Sequence, residues 1–348
     1  MKLNRSSIYS IVLIVILIVG YKYRTYQSEK EQEATMINRI VIQGGTMGTR
    51  YQVVYYDEQK RNFKTEIDAL LENYSDHLST YIPTSEITQF NSNGNLPNPS
   101  EELLHVLNIS QNIYNLSEKR FDPTVMPLVN LWGFGYKSSD QYPDTATIIS
   151  TKDSLVGFDK VTFNDTILSA PKGVELGFGA IAKGDGVDKV GALLQTKGIK
   201  NYCITIGGEN LASGSKPMDT PWKLLISYPE KIEAMQQKPY CFFNLNDKGA
   251  ATSGPYMQEQ EINGIKYSHT IDPRTGFPVP QEVLSITIIA ENCMLADGIA
   301  TVMSVMSLAE CKTFLKDHPE FEALILYKTK DGIGEFMTSA MQKLIIRV

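Results

Sequence analysis

Leu176-Gly177-Phe178-Gly179-Ala180-Ile181-Ala182-Lys183-Gly184 joins an extended segment, Lys172–Phe178, to a helical one, Lys183–Gln195. Small side chains at such a junction let the backbone approach a ligand closely. The amino terminus of a helix favours an anionic group there, and Lys183 adds a positive charge. The spacing matches neither the Walker phosphate loop nor GxGxxG, and the same residues would also make a tight packing turn. Outward from this junction, strands and helices mix without regular βαβ alternation. Arg39–Ile42 and Thr49–Tyr56 read as strands joined by a Gly44–Gly48 turn, and Tyr202–Ile206, Trp222–Ser227, Cys241–Leu245, Leu284–Ala290, Glu322–Tyr327 and Gly334–Met337 as further strands. Lys64–Tyr74, a segment opened by Ser100, Cys293–Met306 and Leu308–His318 have helical spacing. Asn95–Pro99 reads as loop, and Gly249–Gly254 as a connection. The pattern predicts an α+β fold rather than a doubly wound sheet.

The chain has 348 residues, 33 basic and 39 acidic, for a net charge of −6. Residues 1–24 contain Lys2, Arg5, Lys22 and Arg24 and no acid, which leaves 29 basic against 39 acidic residues, or −10, for the rest. So acidic a body repels phosphate backbones, which argues against nucleic acid as a partner. The cysteines at 203, 241, 293 and 311 form no CxxC or Cys/His cluster, so a structural zinc site is not expected and packed thiols are. Ser6–Tyr21 is 16 residues without a charge, flanked by basic residues and tyrosines. Though shorter than the ~20 residues of a typical span, it reads as an uncleaved membrane anchor. The Tyr21-Lys22-Tyr23-Arg24 that follows lacks the small residues of a cleavage site. The predicted organisation is an anchor over 1–24, a polar tether over 25–36 and one folded body over 37–348.

Three further patterns carry possible chemistry. Ser268-His269-Thr270-Ile271-Asp272-Pro273-Arg274-Thr275-Gly276 places a candidate base beside a rigid turn. In Ala296-Asp297-Gly298-Ile299-Ala300-Thr301, Asp297 and Thr301 share a helix face, where a carboxylate and a hydroxyl suit a hard cation such as Mg²⁺. An Asp cap and a Thr bonded back to its own helix would look the same. Phe121-Asp122-Pro123-Thr124-Val125, followed by Leu128–Gly135 with Trp132 and Phe134, forms an aromatic, Gly-interrupted segment able to wrap a flat ring.

In this order the segments are more specific than any one of them. They continue a series that begins with Thr46-Met47-Gly48-Thr49-x-Tyr51 and Leu78-Ser79-Thr80-Tyr81-x-Pro83-x-Ser85-Glu86-Ile87, then Asn91. It also includes Asp188, Ile206-Gly207-Gly208-Glu209-Asn210 and Thr252-Ser253-Gly254. The chain resembles the ApbE family, the FAD:protein FMN transferases, over roughly residues 40–345. The resemblance implies a mixed α/β architecture with largely antiparallel sheets, and FAD and Mg²⁺ as substrate and metal. It implies transfer of FMN to a Thr or Ser hydroxyl of an extracytoplasmic acceptor flavoprotein, with AMP released; some members instead hydrolyse FAD to FMN and AMP.

Carried over by position, the resemblance implies FAD contacts at Met47, Tyr81, Arg120, Phe121, Asp122, Lys183 and, through its backbone, Ile271. It implies a metal held by the Ala180 carbonyl and the side chains of Asp297 and Thr301, and His269 as the base. Many members carry an Asp six residues before the Lys. Gly177 stands there instead, with Glu175 as a possible substitute. A lipoprotein cysteine, common in the family, is replaced here by the apolar segment. That places the expected enzyme on the outer face of the inner membrane.

Overall fold

The computed structural model describes residues 14, 16–26, 38–137, 142–229, 238–254, 259–262, 265–279 and 282–347. Its centre is an eight-stranded sheet: β1 (Arg39–Thr46), β2 (Thr49–Tyr56), β3 (Tyr202–Ile206), β4 (Glu209–Ser213), β5 (Lys248–Ser253), β6 (Val283–Ala290), β7 (Glu322–Thr329) and β8 (Gly332–Met337). The strands lie side by side in chain order, and every neighbouring pair is antiparallel. The sheet is thus a meander whose turns have been expanded into functional segments. The α+β expectation holds.

Side chains alternate across the sheet. Val53, Ile204, Ala251, Ile288 and Ile325 face a helical layer. Their neighbours Val54, Cys203, Ala250, Ile289 and Leu324 face a three-stranded sheet built from Trp222–Ser227, Pro239–Leu245 and Ile345–Arg347. Covering both faces explains why β6 reads as a nearly unbroken apolar run. The helical layer contains α1 (Lys64–Leu78), α2 (Glu101–Leu116), α3 (Ala182–Thr196) and α4 (Cys293–Ser304). Ser100 caps α2, its hydroxyl accepting from Leu103 N at 3.1 Å, as the sequence suggested. α3 lies on β3 and β4, α4 lies on β5 and β6, and the two helices touch.

Three sequence expectations change. Residues 172–173 form a turn, and 174–178 pair with no strand among the described residues. Val174, Leu176 and Phe178 still alternate into the core. The Asn91 side chain substitutes for a neighbouring strand, accepting from Leu176 N at 2.7 Å and donating to Leu176 O at 2.9 Å. Asn95–Pro97 is not loop but a short strand paired with Ile167–Ser169. Gly249–Gly254 is mostly strand β5, whose small residues let it run beneath the start of α4. A Cβ on Gly249 would collide with the main chain of Asn292 and Cys293.

Of the expected anchor, residues 1–13 and 15 lie outside the described residues. Residues 16–26 are helical, and Ile16, Leu17, Ile18 and Val19 are all more than half exposed. Among the described residues no helix is long and apolar enough to cross a membrane.

Candidate active site

α3 and α4 cap one another. α3 starts after Ile181, which offers no side-chain cap. The orphan amide of Gly184 donates instead to Asp297 Oδ2 on α4, at 3.1 Å. In return, Asp188 on α3 accepts from Cys293 N at 2.9 Å and Met294 N at 2.8 Å, the first two amides of α4. Burial pushes Asp188 up to about 7 against the pull of those two amides. The helices come this close because position 184 is glycine: a Cβ there would lie 2.5 Å from the Cys293 carbonyl oxygen. Asp297 is therefore not the cap of its own helix, a role filled by Asn292.

This contact draws three charges together. Lys183 Nζ lies 2.8 Å from Glu209 Oε1 and 3.7 Å from Asp297 Oδ2. Burial pushes Asp297 up to about 7, Lys183 pulls it back, and Glu209 adds to the rise. For Lys183, the two carboxylates outweigh burial and hold the ammonium above its usual range. Thr301 follows Asp297 by one turn of α4, and among the described residues its hydroxyl makes no bond back to the helix. Ala180 stands two residues before the start of α3. No group of three or more His, Cys, Asp or Glu side chains that could hold a metal occurs among the described residues. The expected set needs only one carboxylate, with a hydroxyl and a carbonyl. These are hard oxygen donors that fit Mg²⁺, and an Asp buried at such a cost would be eased by a divalent cation. Glu209 Oε2, buried and without a hydrogen-bond partner among the described residues, adds unspent negative charge.

The other sequence motifs make contacts with one another. Gly177 N donates to Pro123 O at 2.9 Å, which ties the Phe121–Val125 turn to the glycine-rich junction. Trp132 Nε1 donates to Gly276 O at 2.9 Å, which ties the aromatic segment to the 268–279 turn. Ile271 is buried against Leu128 and Trp132, and its main chain bridges to Pro278. The His269 ring stands edge-on to Phe134, with centroids 6.5 Å apart. Met47 reaches α3 at Gly186, where a Cβ would lie 2.7 Å from its Cε. Tyr81 is 73% exposed and edge-on to Tyr136.

Side chains at 120–122 are committed elsewhere. Arg120 pairs with Glu118 at 3.0 Å and Glu310 at 2.9 Å. Phe121 is in the core. The Asp122 carboxylate accepts from Thr124 N at 2.8 Å and Phe158 N at 3.3 Å. A cavity of about 360 Å³ opens beside Asp122 and Arg274, but neither Lys183 nor Asp297 lines it. At Gly177 a side chain would strike Met126. Two residues earlier and on the same side of the extended segment, Glu175 accepts from Asn130 at 2.9 Å, Tyr136 at 2.7 Å and Lys137 at 2.6 Å. No role for Tyr136, Lys137 or Glu209 follows from the sequence alone; the Gly207-Gly208 pair before Glu209 is the signal of a closely packed turn there.

The model of the ApbE family matches residues 47–325. This chain belongs to the ApbE family. It is 34% identical over 313 residues to the FAD:protein FMN transferase of Vibrio cholerae, covering 87% of this chain and 92% of that one. It is 33% identical to the FAD:protein FMN transferase of Haemophilus influenzae, covering 88% and 91%. The solved structure of the flavin transferase ApbE from Vibrio cholerae superposes with a TM-score of 0.78 at 33% identity, covering 88% of this chain and 99% of that one. The apo flavinyl transferase ApbE of Pseudomonas stutzeri gives 0.79 at 27% identity, covering 88% and 96%.

Proposed function

We propose that this ApbE-family chain is a flavin transferase that moves FMN from FAD to a Thr or Ser hydroxyl of an extracytoplasmic acceptor flavoprotein and releases AMP. The observation that carries this reading is the meeting of Lys183 and Asp297 at the amino terminus of α3. In the reaction, the acceptor oxygen bonds to the phosphorus on the flavin side of the diphosphate. The bridging P–O bond breaks, and AMP carries away the bridging oxygen.

Lys183 offsets charge on the diphosphate. Tyr81 offers an exposed ring to the flavin side. Because the side chains at 120–122 are engaged within the fold, contact with FAD there falls to the main chain, as it does at Ile271. Asp297, Thr301 and the Ala180 carbonyl would hold Mg²⁺, which when bound supplies charge neutralisation to the diphosphate oxygens. His269 takes the hydroxyl proton, a role typically worth ~10²–10⁴-fold in rate. The exposed apolar residues 16–19 support a membrane anchor, and the placement of the body outside the cytoplasm rests on the family resemblance alone.

Full-length protein, FAD, Mg²⁺ and a Thr-containing acceptor domain are incubated and analysed by mass spectrometry. The acceptor should gain one FMN phosphoester and release one AMP. Asp297→Ala and His269→Ala should each abolish or strongly slow labelling. AMP release without labelling would replace transfer by hydrolysis, and full labelling by Asp297→Ala without added metal would remove the metal assignment.

A further inference from the structure

Glu209 has no part in the reaction described above, yet the fold goes to some length to place it. It follows Gly207 (φ 64°) and Gly208 (φ 116°), two left-handed positions that only glycine occupies easily. The tight return sets Glu209 opposite Ile206 in the β3–β4 ladder, with its side chain on the helical face. A Cβ on Gly207 would lie 3.2 Å from Lys183 Cδ and 3.3 Å from Glu209 Oε2, so the glycine also makes room for the pair. Glu209 is 4% exposed, and its Oε2 has no hydrogen-bond partner among the described residues.

We propose that Glu209 is a positioning residue that neutralises Lys183, so that this ammonium and a divalent cation on Asp297 can share one site. The proposal rests on the metal reading above. Lys183 Nζ lies 3.7 Å from Oδ2 of the carboxylate that would hold the cation. Two cations facing one carboxylate repel each other strongly in a poorly solvated site. With Glu209 present, the three side chains carry a net charge of −1, which a divalent cation turns to +1 and an FAD diphosphate then turns back to −1. With a neutral side chain at 209, the same cation would bring the protein groups to +2. Glu209 therefore favours the cation and opposes the anionic FAD in the absence of metal. These opposite signs separate a charge role from a structural one.

The test uses full-length Glu209→Gln, Glu209→Asp and wild-type protein. Mg²⁺ affinity is measured by calorimetry without FAD, and FAD affinity by flavin fluorescence in EDTA. Glu209→Gln should weaken Mg²⁺ binding at least about tenfold while FAD binding in EDTA stays equal or tightens. Glu209→Asp should restore much of the Mg²⁺ affinity. Adding Lys183→Met to Glu209→Gln should also recover Mg²⁺ affinity, because the unneutralised cation is gone. Unchanged Mg²⁺ affinity in Glu209→Gln overturns the proposal, as does a parallel loss of both affinities with a lowered Tm. Wild-type protein that takes up no Mg²⁺ overturns the metal reading and this proposal together. Wild-type uptake with an indifferent Glu209→Gln overturns this proposal and leaves the metal reading standing.

Discussion

Gly184→Ala tests whether the α3–α4 contact holds the site together. The added Cβ would lie 2.5 Å from Cys293 O and 2.7 Å from Met294 Cα, where ordinary contacts begin at 3.4 Å. Both obstacles are main-chain atoms, so no rotamer can swing clear and the helices must part by about an ångström. Overpacking of this kind costs about 1–3 kcal/mol. Parting also stretches the Gly184–Asp297 bond and the two amide bonds to Asp188, at about 1 kcal/mol each if lost. The better helix propensity of alanine returns about 1 kcal/mol.

The expected net loss is about 2–5 kcal/mol, or about 4–10 °C in Tm for a body of this size. Gly179→Ala is the matched control, because a Cβ there meets nothing within 4 Å. Thermal and urea unfolding of both variants, followed by circular dichroism, decide the matter. If Gly184→Ala unfolds within about 1 kcal/mol of Gly179→Ala, the close approach does not carry the stability assigned to it here.

Three other outcomes follow from the same structure. Glu310 is held at about 2, first by the Ser307 amide and then by Arg120, below its ordinary 4.5. Its stabilising contribution is therefore full above pH 4.5 and fades as pH falls toward 2. Glu310→Gln should flatten that acid-side slope and cost at most about 1 kcal/mol near neutrality through the lost Arg120 ion pair, since Gln can still complete the capping box; an unchanged acid-unfolding profile would contradict this. Trp132→Phe leaves the Gly276 carbonyl without its indole donor. It should lose about 1–3 kcal/mol of stability and slow labelling, since the freed turn carries His269; wild-type rates in this variant would uncouple the two. All four cysteines are free and buried. Burial pushes Cys203 and Cys311 to about 12, Cys241 to about 11 and Cys293 upward as well. Iodoacetamide should leave the native body unlabelled at pH 8 and modify four sites after denaturation, and reductant should not shift Tm.

Much of this was legible before any coordinates. The apolar spacing of Ile67, Leu71 and Tyr74 marks α1 and the Ser100 cap marks α2, because both signals are local. The apolar run of β6 and the β-branched residues of β3 are local too. Strand β5, Lys-Gly-Ala-Ala-Thr-Ser, was not legible. Its small residues serve the passage of α4 above it, a reason visible only in three dimensions. What Lys172–Phe178 packs beside was not legible either, because Leu176 is held by the side chain of Asn91, 85 residues away, rather than by a strand. At the site, Asp297 and Lys183 could be named from sequence. That Asp297 caps α3 could not, since neither helix records its partner's ends. Glu209 stood in the sequence only within the Ile206–Asn210 motif, which does not reveal that its side chain reaches Lys183 on another element.

Since the sheet follows chain order, no strand ever has to be threaded between two others. Three connecting stretches, 57–201, 254–282 and 291–321, bear most of the residues assigned to chemistry. Each can grow at a cost that rises only with the logarithm of its length, and none is obliged to alter which strands are neighbours. The scaffold can thus keep one blueprint while the spans between its rungs change in length.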